Sequence, residues 1–191
     1  MAFRRERGSS FDIEGRRASK ARWSLGRALS YAIALALTSA ALWFFFTYRI
    51  GVIPSESMAP TLKPGDQYLI NIRAYRGRQP ERGDVIVFRT PDGEYLVKRV
   101  VGLPGETVTI VRGQVYINGR PLHEPYLKER PIVEWPQQVR VPEGHVFVLG
   151  DNRNFSDDSR DFGPVPMERV LGRAEYIFRP TQRRRWLHPR R

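Results

Sequence analysis

The chain of 191 residues contains no cysteine. A disulfide framework, a thiolate metal site and a cysteine nucleophile are therefore all excluded. Histidine is almost as scarce: the three, His123, His145 and His188, lie far apart and none falls in a His-Glu-x-x-His pattern. That leaves no ligand set for a zinc hydrolase, and neither a metal nor another cofactor is expected. Acidic residues are too few to balance the basic ones, and the formal net charge is +12. Such an excess suits a phosphate-bearing partner, and its placement says which. Much of it sits between Arg4 and Arg27 and between Arg183 and Arg191, with no basic recognition helix between them. This distribution favours a lipid bilayer as partner and argues against nucleic acid.

Charge is also missing where a membrane would forbid it. From Ala28 to Tyr48 run 21 uncharged residues, ALSYAIALALTSAALWFFFTY. As a helix they would extend about 31 Å, against a hydrocarbon core of about 30 Å. Small-x-small spacing at Ala32, Ala34 and Ala36 offers a cleavable leader as the competing reading, but it lies mid-run. The exit end, Trp43-Phe44-Phe45-Phe46, suits an interfacial aromatic belt instead. Arg16, Arg17, Lys20, Arg22 and Arg27 precede the run and Arg49 alone follows closely, so residues 1–27 are expected in the cytoplasm and everything after 49 outside it. The arm 1–27, rich in Arg, Ser and Gly, is expected to be disordered.

Beyond Gly51 the sequence breaks into short β-branched runs between Gly, Pro and Asp turns: QYLINI (67–72), DVIVF (84–88), EYLVKRVV (94–101), TVTIV (107–111), QVYI (114–117), HVFVLG (145–150) and AEYIF (174–178). This predicts one mainly β, antiparallel domain over 49–181, followed by a basic tail, 182–191. Asn118-Gly119 signals a hairpin, and Arg112-Gly113 separates two strands expected to pair. Five prolines from Pro121 to Pro142 predict a long surface excursion there.

Three stretches carry candidate chemistry. In IPSESMAPTLKPGD (53–66), prolines 54, 60 and 64 stiffen a segment bearing Ser55 and Ser57; Ser-x-Ser alone is a weak signal, and by itself the stretch reads first as a hydroxyl-rich turn. In YLVKRVVG (95–102), alternation sends Lys98 and Arg99 to opposite faces, so one cation must meet apolar surface. It is either an edge lysine reaching water or a desolvated amine able to act as a base. In GDNRNFSDDSRDFGPVP (150–166), Ser156, Asp158 and Arg160 form either a polar turn or a loop that orients the lysine. A Ser-His-Asp hydrolase using His145 with Asp151, Asp157 or Asp158 is a rival, as is a non-enzymatic membrane-tethered binding module.

Taken in order, the stretches PSESMAPTL, RGDVIVF, YLVKRVVGLPGE, VYINGRPLHEPYL, VPEGHVFVLGDNRNFSDDSRDFGPV and VLGRAEYIF closely resemble the type I signal peptidase family, over about Ile53 to Phe178. The resemblance implies a transmembrane helix followed by an antiparallel-β catalytic domain of the signal-peptidase kind, in a bacterial plasma membrane. It implies removal of signal peptides from exported preproteins after a small-x-small site. Ser57 would be the nucleophile and Lys98 the general base. The Ser55 hydroxyl and the Ser57 backbone N–H would hold the oxyanion, and Ser156 would hydrogen-bond the lysine. Asp158 and Arg160 would support the site, and Ile53 and Met58 would wall the substrate pocket. Asn154 and Phe155 stand where the family usually has an Asp and an Asn.

Overall fold

A computed structural model describes residues 11–127, 131, 132 and 135–188. The chain divides into two compact units, the first ending at Phe46 and the second beginning at Thr47. The first is the helix α1 (Phe11–Thr47), which starts inside the arm expected to be disordered; residues 1–10 of that arm lie outside the described residues. Gly26–Thr47 is long and apolar enough to cross a membrane. Its side chains from Gly26 to Phe46 are all exposed, Leu35 at 69% and Phe45 at 64% among them. Two of its polar side chains bond their own helix, Ser30 Oγ to Gly26 O at 2.9 Å and Thr38 Oγ1 to Ala34 O at 2.8 Å. Hydroxyls held in this way leave the helix surface compatible with hydrocarbon.

The second unit is built from antiparallel strands. Along the chain they are β1 (Tyr48–Val52), β2 (Gln67–Asn71), β3 (Val85–Arg89), β4 (Tyr95–Gly102), β5 (Thr107–Val111), β6 (Gln114–Ile117), β7 (Arg120–Pro121) and β8 (Trp135–Arg140). Then come β9 (His145–Leu149), the short helix α2 (Ser159–Phe162), β10 (Val165–Pro166), β11 (Val170–Arg179) and β12 (Arg185–Trp186). Among the described residues they form a larger sheet in the order β1-β2-β11-β3-β4-β9-β10, with β12 on β11, and a smaller one in the order β7-β6-β5-β8. Each of the seven runs read from the sequence is a strand here, and the two expected turns close hairpins. Arg112-Gly113 and Asn118-Gly119 both adopt positive φ, the geometry that two-residue hairpin loops require.

Several strands were not expected. β1 follows directly on the apolar run and is masked by it in the sequence. β8 lies within the stretch read as a surface excursion, despite Pro136. It is an edge strand, paired only with β5 among the described residues, and an edge tolerates a residue that donates no ladder hydrogen bond. β12 belongs to the segment set apart as a basic tail. Tyr176 pairs with Trp186 across β11 and β12, and the two rings meet tilted, with centroids 5.0 Å apart. Residues 189–191 of that tail lie outside the described residues.

Three apolar clusters hold the unit together. One packs Leu62, Tyr68, Ile70, Val85, Val87, Ala174 and Ile177 beneath the 53–66 loop. A second joins the small sheet to β4 and β9 through Val101, Val108, Val115, Trp135, Phe147 and Leu149. The third gathers Ile86, Phe88, Val100, Val146, Val148 and Val165. β4 and β9, which pair with each other, contribute to both of the latter clusters, so β4 is covered on both faces at its C-terminal half. Lys98 and Arg99 enter that covered region.

Candidate active site

The loop between β1 and β2 closes on itself. Ile53 N–H donates to Asp66 O at 3.0 Å and Gly65 N–H to Ile53 O at 2.9 Å, pinning its ends. Met58 and Leu62, 1% and 0% exposed, anchor its middle in the core beneath. Between these anchors Ser57 faces β4. Its hydroxyl oxygen lies 2.8 Å from Lys98 Nζ and 3.3 Å from the Ser55 hydroxyl. The backbone of Ser57 is fixed as well, because its carbonyl accepts the Asn152 N–H at 3.0 Å. The first and third candidate stretches thus meet at a backbone hydrogen bond, and the first and second at the Ser57 side chain.

Lys98 is 3% exposed. Burial pushes its amine below the ordinary lysine value, against an upward pull from the carboxylates of Asp158 and Asp157. Two protonation states fit the 2.8 Å contact: a charged amine donates to Ser57 Oγ, and a neutral amine accepts the Ser57 hydroxyl proton. The second state is the one a general base needs.

Arg99, the other cation of the pair, is buried too. Its guanidinium grips Asp151 with both arms, at 2.7 and 2.6 Å, donates to Gly83 O at 2.8 Å and lies 4.0 Å over the Tyr126 ring. Both faces of β4 therefore take a cation inward, and they differ in what receives it. Arg99 finds a carboxylate, whereas Lys98 meets a hydroxyl.

The loop after β9 is organised by Asp158. It caps α2, and its Oδ2 accepts the Gly150 N–H at 3.0 Å. Arg160 contacts the same carboxylate at 2.8 and 2.9 Å and reaches back to the carbonyls of Arg153 at 2.8 Å and Ser156 at 3.2 Å. Asp158 and Arg160 thereby tie both ends of the turn that covers Lys98. The sequence left them in a polar turn or a loop; here Asp158 is the cap of a helical turn and Arg160 lies within it.

Ser156 departs from its expected role, since among the described residues its buried Oγ has no hydrogen-bond partner and does not bond Lys98. It packs instead against Gly150, where an added Cβ would lie 2.2 Å from Ser156 Oγ and 2.5 Å from the Ser57 carbonyl oxygen. Ile53 and Met58 are buried in the core cluster under the loop, at 3% and 1% exposure. An open cavity of about 370 Å³ lies beside the same loop, lined by Glu56, Ala59, Lys63, Asn152, Asn154 and Phe155 among others. Asn154 accepts the Ile132 N–H at 3.1 Å, and Phe155 is 75% exposed. His145, the histidine of the rival hydrolase reading, contacts the carbonyl of Glu143 at 3.0 Å. The candidate partners Asp151 and Asp158 are paired with Arg99 and Arg160.

Gly150 was not singled out by sequence reasoning, Arg99 entered it only as the other cation of β4, and Asp151 only as a candidate acid of the rival hydrolase, so their pairing was not foreseen. The signal for that pairing was the second inward-facing cation on β4, which needed a carboxylate. Nothing in the sequence marks the close approach at Gly150.

The family model for signal peptidase, peptidase S26, matches residues 23–179. The chain belongs to this family. Among curated relatives, it is 42% identical over 158 residues to the probable signal peptidase I-1 of Synechocystis, covering 78% of this chain and 80% of the relative. It is 35% identical over 163 residues to signal peptidase I V of Bacillus subtilis, covering 78% of this chain and 94% of the relative. A solved signal peptidase I from Enterococcus faecalis is 42% identical, with a TM-score of 0.43, covering 50% of this chain and 97% of that one. The match to the signal peptidase model begins within α1 and ends at the last residue of β11, so both units of the chain enter it.

Proposed function

We propose that this chain is a membrane-anchored serine endopeptidase that removes N-terminal signal peptides from exported preproteins, with Ser57 as nucleophile and Lys98 as general base. The observation that carries the reading is the contact of 2.8 Å between the Ser57 hydroxyl and a lysine amine that is buried and depressed in basicity. A lysine at its ordinary value is almost wholly charged at pH 7, and neutralising it there costs about 4–5 kcal/mol. Burial lowers that cost. The neutral amine takes the Ser57 proton as the oxygen attacks the scissile carbonyl, giving a tetrahedral oxyanion held by the Ser57 backbone N–H and the Ser55 hydroxyl. Lys98, now protonated, passes the proton to the departing amine of the mature protein. An acyl-enzyme remains on Ser57, and the neutral lysine then activates the water that hydrolyses it.

Cleavage after small residues at the first and third positions before the cut is part of this reading, with Ile53 and Met58 as the apolar floor beneath the site. The exposed apolar surface of Gly26–Thr47 supports a bilayer anchor, and the arginines preceding it favour a cytoplasmic N-terminus with the β unit outside. Ser57 follows the end of α1 by so few residues that it lies within roughly 36 Å of it along the chain. Substrate and enzyme would then share one thin layer, since a signal peptide's apolar segment occupies the same bilayer. Incubating a model preprotein in detergent with wild type and Ser57→Ala, and reading the new N-terminus by mass, tests the proposal. A cut after a small-x-small site by wild type alone is expected; cleavage by the Ser57→Ala protein would refute it.

A further inference from the structure

The basic residues after β11 are engaged in ways a solvated tail would not be. Arg183 donates to Asp66 from Nε, at 2.8 Å to Oδ1 and 3.1 Å to Oδ2, and from Nη2 at 2.7 Å to Oδ2. The same Nη2 reaches the carbonyls of Thr61 at 3.3 Å and Pro60 at 3.5 Å. Arg185 adds a bond of 2.6 Å to Thr61 O and one of 3.3 Å to Pro60 O. Leu187 N–H bonds Glu175 O at 2.8 Å, and His188 Nε2 contacts Ala174 O at 3.1 Å, so the segment is sewn to β11 beyond the arginines.

The three groups that Arg183 and Arg185 grip, the Asp66 carboxylate and the carbonyls of Pro60 and Thr61, all belong to the loop that carries Ser57. Asp66 is its base: the carboxylate, 1% exposed, also accepts the Lys63 N–H at 2.9 Å, and its carbonyl accepts the Ile53 N–H. Pro60 and Thr61 follow Ser57 by three and four residues, in a stretch that forms no strand. Prolines at 60 and 64 provide no N–H with which to make one. On its far side Thr61 touches the Arg99–Asp151 pair, through Arg99 Nη2 to Thr61 Oγ1 at 3.3 Å. The loop is therefore held between that pair, which adjoins Lys98 in sequence, and the C-terminal segment.

We propose that Arg183 is a positioning residue: together with Arg185 it makes residues 181–188 a strap that fixes the Ser57 loop and thereby sets the distance between Ser57 and Lys98. The proposal rests on the Ser57–Lys98 reading above. Its energetic logic is one of precision, because a displacement of the nucleophile by about 1 Å can cost roughly 100-fold in rate. The Arg183 fork on the Asp66 carboxylate and the Arg185 contacts on two carbonyls add charged donors to the backbone hydrogen bonds that close the loop.

The test uses the full chain in detergent micelles and an internally quenched peptide containing a small-x-small site. It measures kcat and KM for wild type, Ser57→Ala, Arg183→Ala, Arg183→Lys and Arg184→Ala, with a thermal melt of each. Arg183→Ala should lose roughly 10- to 100-fold in kcat at temperatures where it is fully folded, with KM within about twofold. Arg183→Lys should fall between it and wild type, because an ammonium cannot make the forked contact. Arg184, whose Nε donates to Phe178 O and not to the loop, should tolerate alanine without effect.

Wild-type kcat in Arg183→Ala would overturn the proposal. So would a lowered Tm with undiminished kcat well below it, since Arg183 would then be a structural brace alone. If Arg183→Ala does not fold, the lysine variant carries the same comparison, and wild-type kcat there overturns the proposal. Cleavage by wild type but not by Ser57→Ala keeps the reading of the site intact whichever way Arg183 behaves.

Discussion

Replacing Gly150 by alanine adds one methyl group where Ser156 and Ser57 meet. The residue does not sit at positive φ, so alanine is allowed by the backbone and any effect reports packing alone. The new Cβ would stand 2.2 Å from Ser156 Oγ, 2.5 Å from Ser156 Cβ and 2.5 Å from Ser57 O, where ordinary contacts begin near 3.4 Å. The serine hydroxyl can rotate away, having no hydrogen bond among the described residues to lose. The other two contacts cannot be relieved in that way, so the turn and the Ser57 carbonyl must separate by about 0.9 Å. That carbonyl is tied to Asn152 N–H, one residue beyond the pair of Asp151 with Arg99, so the strain falls on the backbone that presents the nucleophile. Overpacking of this kind costs about 1–3 kcal/mol of stability. A shift near 1 Å at the reacting atom costs about 100-fold in rate. Peptide cleavage kinetics and a denaturant titration on Gly150→Ala measure both. A variant within twofold of wild type in kcat/KM and unchanged in stability would show that the close approach does not constrain Ser57.

Three further outcomes follow from the same geometry. Ser55→Ala should lower kcat by about 10²–10³ with KM little changed, as for removal of one oxyanion donor; an unaffected rate would remove Ser55 from that role. Asp151→Ala should destabilise the fold by about 3–5 kcal/mol in a denaturant titration, because Arg99 would be left buried without its carboxylate; a loss below about 1 kcal/mol would contradict this. Lys98→Met should be more stable than wild type at pH 7. Lys98 holds its proton less tightly folded than unfolded, so its burial penalises stability below the folded pKa, and that penalty fades as pH rises toward the ordinary value of 10.5. The advantage of the methionine variant should shrink from pH 7 to pH 10, and parallel stability curves would refute the shift.

How far the molecule could be read from its residues differs between levels. Strands built from alternating β-branched residues, such as QVYI and TVTIV, were legible together with their turns, because hairpin chemistry is local. β1, β8 and β12 were not. The first is continuous with an apolar run, the second contains Pro136 at a sheet edge, and the third is two residues of an arginine-rich segment whose pairing depends on Trp186 meeting Tyr176. At the candidate site, alternation on β4 separated Lys98 from Arg99 but could not show that both faces are covered, since the second cover comes from residues distant in sequence, Tyr126 and Asp151. Asp158 and Arg160 were legible through the family resemblance as supports, though not as a helix cap and its ion pair. Ser156 was expected on the lysine and instead packs, without a partner, against a glycine, because the turn geometry that places it is fixed by the capping carboxylate and not by its own chemistry.

The central claim is that Lys98 works as a neutral base on Ser57, and kcat/KM against pH for wild type and Lys98→Arg addresses it most directly. A Ser57–Lys98 dyad predicts a wild-type rate that rises with pH through an inflection below 10.5, and no turnover at any pH in the arginine variant, whose guanidinium cannot give up its proton in this range. Substantial cleavage by Lys98→Arg, with a pH profile like that of wild type, would contradict it.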